Sequence, residues 1–572
     1  MKKTLHISFI IALIFFVGCN IPNKGMVQIE VEKVNKMPNF PEPYKMLDWY
    51  EKTKNFDEII FNHQVGTKGK TFIWLDSSER NFPQTTFGLY TVIDDVRQGP
   101  DANNGEFHEA INSLGALMSA GLVGIDKTNQ HGCNYVKMVQ NYFNADNGWN
   151  IIMNNTSAEV ALQGGGYGRD WWYDIFPNVL YFAVSDLFRY VDRADSLQKI
   201  ISEQFYKADS VLNGNYDFSF FDYSSMQGKH SNIPAQQDAA AGHAWVLYSA
   251  YQKFGDERYL NGAQSALDAL YAQSESRFYE VLMPFGAYTA ARLNAEIGTN
   301  YNILKILKWT FDGVSAKDGR TGWGIISGRW GEFDINGIQG NITQEGGYGF
   351  LMNTFDMAWP LVPMVRYEPK YARLIGKWML NAANSARLFY PYEIPDRNQW
   401  LPEDKAVTRN VIAYEGLKKT DAYGKEELKG VSPVALGDGP HWVISQPNIS
   451  MFSIYGSAHV GVFGSIIRET NIEKILQLNC LATDFYRNPA YPTYLYYNPY
   501  DKDKEIEYFN DGSAVDLYDA ISHKTVATNV TKMGLFVLPA DKTMLIVAIP
   551  SGSKLEKHNS KIMIGDIIVA YQ

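Results

Sequence analysis

Asp238 to Gln273 reads DAAAGHAWVLYSAYQKFGDERYLNGAQSALDALYAQ, and it spells out two helices and the turn between them. Ala241, Ala244, Trp245 and Tyr248 recur at helical spacing, Gly255 can end that helix in a left-handed conformation, and Asp256 can cap the next one. Leu260, Ala263, Leu267 and Leu270 then draw a second apolar stripe. A turn this short makes the two helices antiparallel neighbours, so the stretch is a helical hairpin.

Working outward, similar segments recur near 105–123, 174–212, 286–312, 346–388 and 448–485, which makes about a dozen helices. Stacked hairpins either stay open as a solenoid or close into a toroid. We expect a mainly α chain in which residues 43–487 form an (α/α)6 toroid of helical hairpins. The tail changes period: TYLYYNPY, AVDLYDAIS, KTVATNV, GLFVLPA, KTMLIVAIP and DIIVAYQ are short, β-branched or aromatic, and divided by turn residues. These read as strands, so residues 488–572 are expected to form an antiparallel β-sheet or sandwich domain.

The other end carries an address. Lys2 and Lys3 precede an apolar run from Ile7 to Val17 that ends in FVGC, the pattern of a lipoprotein signal peptide over residues 1–18. The run is too short for a membrane helix. Cys19 is then the expected lipidation site and residues 19–42, polar and Pro-punctuated, a tether. Asn20 follows it, which favours the outer membrane, on its periplasmic side or at the cell surface. Cys133 and Cys480 are the only further cysteines in 572 residues, so the fold is no disulfide scaffold. A net charge of −10 without basic clusters argues against nucleic acid. The aromatic content of 14% points weakly to sugar rings, whose C–H faces suit flat side chains.

A second pattern concerns chemistry. QGGGYGRDWWYD begins at Gln163, and QEGGYGFLMNTFD begins at Gln344. Tyr167 and Tyr348 stand 181 residues apart, which in a closed ring of about six hairpins sets them on facing walls. Both turns would open inner helices at the mouth of one pocket, with glycines letting backbone approach a ligand. An alternative is that equivalent hairpins need equivalent turns.

Each turn adjoins an acid, Asp170 after the first and Glu345 before the second. Carboxylates on opposite walls of a sugar-sized pocket are what glycoside hydrolysis requires. Asp170 could instead cap its helix beside Arg169. Asp238 is a third acid, at the start of the best helix and one turn from His243, and it too could be a plain cap. Trp171 and Trp172 follow the first turn. Arg329 and Trp330 sit in SGRWGEF, and Asp438 and His441 in LGDGPHWV. Arg beside Trp offers a carboxylate fork and a stacking face, or simply a packed pair. Zinc-protease spacing, a GxSxG elbow and a phosphate loop are all missing from the sequence, so no metal and no cofactor is expected.

With its lipoprotein signal, GGGYGRDWWYDIFPN, QEGGYGFLMNTFDMAWP and β tail, the chain resembles the α/α-toroid uronic-acid hydrolases of glycan-degrading bacteria. It is most similar there to glycoside hydrolase family 154, the exo-acting β-glucuronidases. The resemblance covers the mature chain in architecture and transfers no catalytic motif. It implies an enzyme that removes terminal glucuronic acid, or its 4,5-unsaturated form, from oligosaccharides during polysaccharide degradation. On that reading Glu345 with Asp170 or Asp238 forms the acid–base pair. Arg169 and Arg329 hold the uronate, and Tyr167, Tyr348, Trp171, Trp172, Trp330, His243, Asp438 and His441 line the sugar site. The partners are then a uronic-acid oligosaccharide and, through lipid alone, a membrane, with a homodimer left open. Two rivals stand beside it: a polysaccharide lyase, in which Tyr and His move protons, and a non-catalytic glycan-binding lipoprotein.

Overall fold

The computed structural model describes residues 26–67, 70–93, 109–157, 170–313, 322–343, 347–420, 425–437 and 451–572. The hairpin that opened the sequence reading forms as helices Ala239–Phe254 and Glu257–Ala272, with Gly255 left-handed between them and Asp256 accepting from the Arg258 amide. The first helix is buried from Ala239 to Ala250. The second buries only its stripe, including Leu260, Ala263, Leu267 and Leu270. An all-round apolar helix belongs inside and a striped one outside.

That division repeats. Ala110–Leu122 packs on Trp171–Leu187, which packs on Ala239–Phe254, then Met283–Glu296, then Leu351–Tyr367, then Gly461–Ile466, which returns to Ala110–Leu122. The circuit of inner helices is therefore closed. Trp49–Ile60, Ala194–Leu212, Glu257–Ala272, Ile303–Phe311 and Ala372–Ala386 pack against it from outside. Aromatic rings fill its middle: Trp359 lies 5.8 Å from Trp245, 5.1 Å from Phe285 and 6.2 Å from Phe176, centroid to centroid. Pro363 lies inside the Leu351–Tyr367 helix and has no N–H for the carbonyl four residues back. Thr483 donates its hydroxyl to that carbonyl, Trp359 O, at 2.7 Å.

The last inner segment is broken, running as Ile454–Ser457 and Gly461–Ile466. His459 stands in the break, fully buried, with Nδ1 2.7 Å from Asp356 Oδ1 and Nε2 3.2 Å from Ile111 O. Ser119 Oγ donates to Ala458 O at 2.6 Å and accepts from Gly461 N at 2.9 Å. Beyond Ile466 the chain turns to strand, and the helix expected near 448–485 is not continued: Ile467–Glu469 and Leu476–Asn479 join a sheet. Six antiparallel strands follow the order Ile467–Glu469, Leu476–Asn479, Thr493–Tyr497, Thr543–Pro550, Val515–Asp519, Lys524–Val530. The sheet thus begins upstream of residue 488. One face rests on the Ala372–Ala386 helix, where Gly376 meets Tyr497. The other is covered by the two-stranded sheet of Lys504–Phe509 and Met533–Leu538, through Tyr496, Ile506, Phe536 and Ile546.

Residues 26–42, read as tether, are instead a strap. Val31, Val34 and Met37 are buried. The backbone is held by Ile29 N to Lys370 O, Lys377 Nζ to Asn35 O and Asn381 Nδ2 to Pro38 O. Three apolar residues spaced through a polar stretch were enough to dock it.

A test of ring closure is Gly115→Ala, since a Cβ there would lie 2.2 Å from His459 Nε2. Ala gains about 1 kcal/mol over Gly inside a helix. We nevertheless expect a net loss of about 1–3 kcal/mol from overpacking, read as a lower urea midpoint at unchanged slope. A more stable variant would show that the imidazole does not hold the seam.

Candidate active site

Inner helices that run the same way bring their N-termini to one end. Three of them begin with an acid at the N-cap, Glu109, Asp170 and Asp238, and none accepts a capping bond from its own first turn. Two of these acids reach sideways. Asp170 Oδ1 accepts from the Gln236 amide, at the entry of the next inner helix, and Gln236 Oε1 accepts from Trp172 N at 3.1 Å. Asp238 Oδ2 accepts from Tyr279 N at 2.8 Å, at the entry of the helix after that. Glu280 Oε2 accepts from Asn353 Nδ2 at 2.9 Å, inside the following one. From the second inner helix to the fifth, each entry is thus hydrogen-bonded to the next.

The centre of this mouth is Tyr455. It is buried, and its phenol is pushed well above the usual value, first by burial and then by the carboxylates of Glu280, Glu109 and Glu415; a hydrogen bond from Tyr173 works the other way. Residues from the entries of three inner helices, Glu109, Tyr173 and Glu280, and from the loop at Glu415 therefore act on one hydroxyl, carried by a fourth. The positive ends of the helix dipoles favour carboxylates at this end. Tyr455 itself is set by its amide, which donates to Thr91 O at 3.1 Å. Ser453 Oγ caps the short helix by accepting from Gly456 N at 2.8 Å.

Glu280 is held hardest. Its φ of 60° puts a side-chain-bearing residue in the left-handed region, which costs roughly 1–2 kcal/mol. Besides the Asn353 bond, Gln339 Nε2 donates to its carbonyl at 2.9 Å, and Gln339 N is fixed by Thr354 Oγ1 at 3.1 Å.

Of the residues singled out in the sequence, Cys19, Tyr167, Arg169, Glu345, Asp438 and His441 lie outside the described residues. Asp170 and Asp238 are at the mouth, engaged as above. Trp172 is there too, its ring 4.0 Å from that of Tyr173. Trp171 and His243 are not on a surface: His243 has no exposed area, packs against Trp171, Phe205 and Tyr216, and meets Tyr223 Oη at 2.9 Å. A sugar cannot touch it without opening the core.

The second Gly-rich turn also differs from expectation. Tyr348 begins a strand, Tyr348–Phe350, in the five-stranded sheet of Val434–Leu436, Gly416–Lys418, Tyr348–Phe350, Gln339–Asn341 and Trp323–Ile325. It is fully buried beside Leu428, Val434 and Leu436. Gly324, Gly340 and Gly349 are cross-strand partners in this sheet, and a Cβ on Gly340 would fall 2.2 Å from Tyr348 O. Trp330 lies against Gly347, where a Cβ would sit 2.7 Å from its ring. Arg329 is exposed and donates to the carbonyls of Glu42, at 3.1 Å, and Glu332.

No family model matches the chain, and no curated protein does. Solved structures do match. One is a β-L-arabinofuranosidase of glycoside hydrolase family 127 from Geobacillus stearothermophilus T6, at 11% identity over 92% of this chain and 85% of that one, with a TM-score of 0.38. Another is a family 76 glycoside hydrolase from a bovine Bacteroides thetaiotaomicron strain, at 10% identity over 73% of this chain and 77% of that one, TM-score 0.37. An α-L-rhamnosidase from Dictyoglumus thermophilum matches at 9% identity over 90% of this chain and 50% of that one, TM-score 0.31. Likenesses this loose assign neither a family nor a chemistry.

The buried histidine gives a test of its own. Burial lowers His243 from 6.5 to about 3, so the folded chain leaves it neutral where the unfolded chain protonates it. Its stabilising contribution is complete above about pH 6.5 and is lost as pH falls toward 3, at up to about 1.4 kcal/mol per pH unit. His243→Gln should flatten the fall in stability between pH 6.5 and 5 by about 2 kcal/mol. Parallel wild-type and variant curves would show that His243 does not carry this pH dependence.

Proposed function

We propose that the chain is a glycoside hydrolase with an (α/α)6-toroid body, acting at the end of an oligosaccharide to remove glucuronic acid or its unsaturated form. The single observation that carries the hydrolase reading is the gathering of acids at the entries of the inner helices, Glu109, Asp170 and Asp238 at the N-caps and Glu280 bonded to Asn353, where Glu109, Glu280 and Glu415 all raise the Tyr455 phenol. Glycosidic hydrolysis needs one carboxyl to protonate the leaving oxygen and a second to activate water or to attack. Here three are drawn from different parts of the chain onto one small region, so two can flank a bond that enters it.

What supports hydrolysis over elimination is the state of Tyr455. A lyase tyrosine must give up its proton to act as base. Surrounded by carboxylates and buried, this phenol keeps it, and its role is to donate a hydrogen bond to a sugar oxygen. A capture protein, the other rival, would gain nothing from gathering acids, one buried and two half-buried, that repel each other.

The uronate preference rests on the family resemblance and on Arg169, while Arg329 is engaged with backbone carbonyls. The lipid anchor at Cys19 remains part of the proposal. Among the described residues no helix is long and apolar enough to cross a membrane.

The experiment is hydrolysis of a panel of glycosides ending in glucuronic acid, unsaturated uronic acid and the matching neutral sugars. The wild type should release uronic acid without creating an absorbing double bond. Glu109→Gln, Glu280→Gln and Glu415→Gln are measured beside it, and two of the three should lose about 100-fold or more in kcat. A new absorbance at the double bond would assign a lyase, and equal turnover of neutral sugars would discard the uronate preference. Wild-type rates in all three variants would remove this centre from the reaction.

A further inference from the structure

Asp238 was expected to be a catalytic acid, yet its Oδ2 accepts the N–H of Tyr279, the residue directly before Glu280, at 2.8 Å. We infer that Asp238 is a positioning residue, whose bond to Tyr279 N–H fixes the left-handed backbone of Glu280 and so aims the Glu280 carboxylate at Tyr455. The inference rests on the hydrolase reading above.

The geometry is specific. A Glu with φ of 60° relaxes to an ordinary conformation unless its surroundings forbid it. Three bonds from three different elements, a helix entry, a strand and the first turn of a further helix, forbid it here. Asp238 takes the N–H on the upstream side, Gln339 donates to the Glu280 carbonyl on the downstream side, and Asn353 donates to the carboxylate itself. Asp238 is 1% exposed and stands at the N-cap of its own helix without capping it. A cap that leaves its own first turn and reaches the next helix entry gives up local stability for the placement of that entry. The site also needs such a brace, because Glu280 is half-buried and lies in the short run between two long helices.

Positioning and chemistry make different demands on the side chain. An N–H acceptor is preserved in Asn, whose carbonyl oxygen can replace Oδ2, and lost in Ala. An acid is lost in both. On a glycoside that the wild type hydrolyses, Asp238→Asn should keep kcat within about tenfold with the pH–rate profile unchanged in shape. Asp238→Ala should lose about 100-fold in kcat, the scale of a misplacement of about 1 Å, with KM changed less than about threefold.

Equal, large losses in Asp238→Asn and Asp238→Ala, with one limb of the pH profile gone, would overturn the inference by making Asp238 an acid–base group. Losses below about threefold in both would overturn it by making the bond dispensable. Should the Ala variant fail to fold, Asp238→Ser takes its place, since its shorter side chain loses the reach to Tyr279 N–H while it can still cap its own helix, and the same two comparisons with Asp238→Asn decide. A wild type inactive on every glycoside would sink the hydrolase reading and this inference with it, a result distinguishable from the two above.

Discussion

A carboxylate, an imidazole and a backbone carbonyl hold the ring shut. Asp356 comes from the fifth inner helix, His459 from the break in the sixth and Ile111 from the first. The imidazole bridges the two ends of a circuit that the chain takes more than 300 residues to complete, reckoned from Ile111 to His459. Burial raises Asp356 above the ordinary carboxylate range while His459 pulls it back down. The seam is therefore polar and fully enclosed, an arrangement that tolerates little displacement, because an unmet partner there would cost about 1–3 kcal/mol. Glycines allow the approach: Gly115 leaves room for the ring, and Gly461 lies where a Cβ would be 2.3 Å from Ser119 Cα.

Once the circuit is closed, its two ends differ. One gathers helix N-termini and acids. The other gathers positive charge against negative in a buried network. Arg292, 1% exposed, donates to Phe485 O at 3.1 Å and Tyr486 O at 3.2 Å and pairs with Glu296. Tyr288, Tyr367 and Arg366 all bond Asp484. The aromatic plug around Trp359 separates these ends. At the mouth, neutral amides bond Asp170 and Glu280, and the positive ends of the helix dipoles favour their charge.

Much of this body is written in the chain. Helix boundaries around Gly255 and Asp256 are legible because a left-handed terminator and a cap are local requirements. The tail strands are legible because β-branched runs between turn residues have a period of their own. The second Gly-Gly-Tyr-Gly was read as a helix-opening turn, and a helix does begin at Leu351; but a strand comes first, and Gly349 of the motif is small because it faces Gly340 on the neighbouring strand. Nothing local distinguishes the two causes. The site was harder still. Glu109, Glu280, Glu415 and Tyr455 are ordinary residues in ordinary surroundings, and only ring closure brings them together. Asp238 was found by its place at a helix start, but the direction of its carboxylate was not, since a cap and a cross-link look alike in sequence. Tyr173 stands in a stretch already quoted; its neighbours Trp171 and Trp172 drew attention by size.

The strap over residues 26–42 has a mechanical consequence. Its bonds follow the Ala372–Ala386 helix in order, from Gln28 on Pro369, through Lys377 on Asn35 and Asn381 on Pro38, to Lys45 on Asn384, with Arg329 adding a bond at Glu42. A pull on the chain upstream of Met26 loads this row lengthwise, in shear, so the bonds share the force instead of opening one after another. The load passes into an outer helix and the sheet behind it. Of the inner helices, the load reaches first Leu351–Tyr367, which packs on that outer helix and carries Asn353, the partner of Glu280.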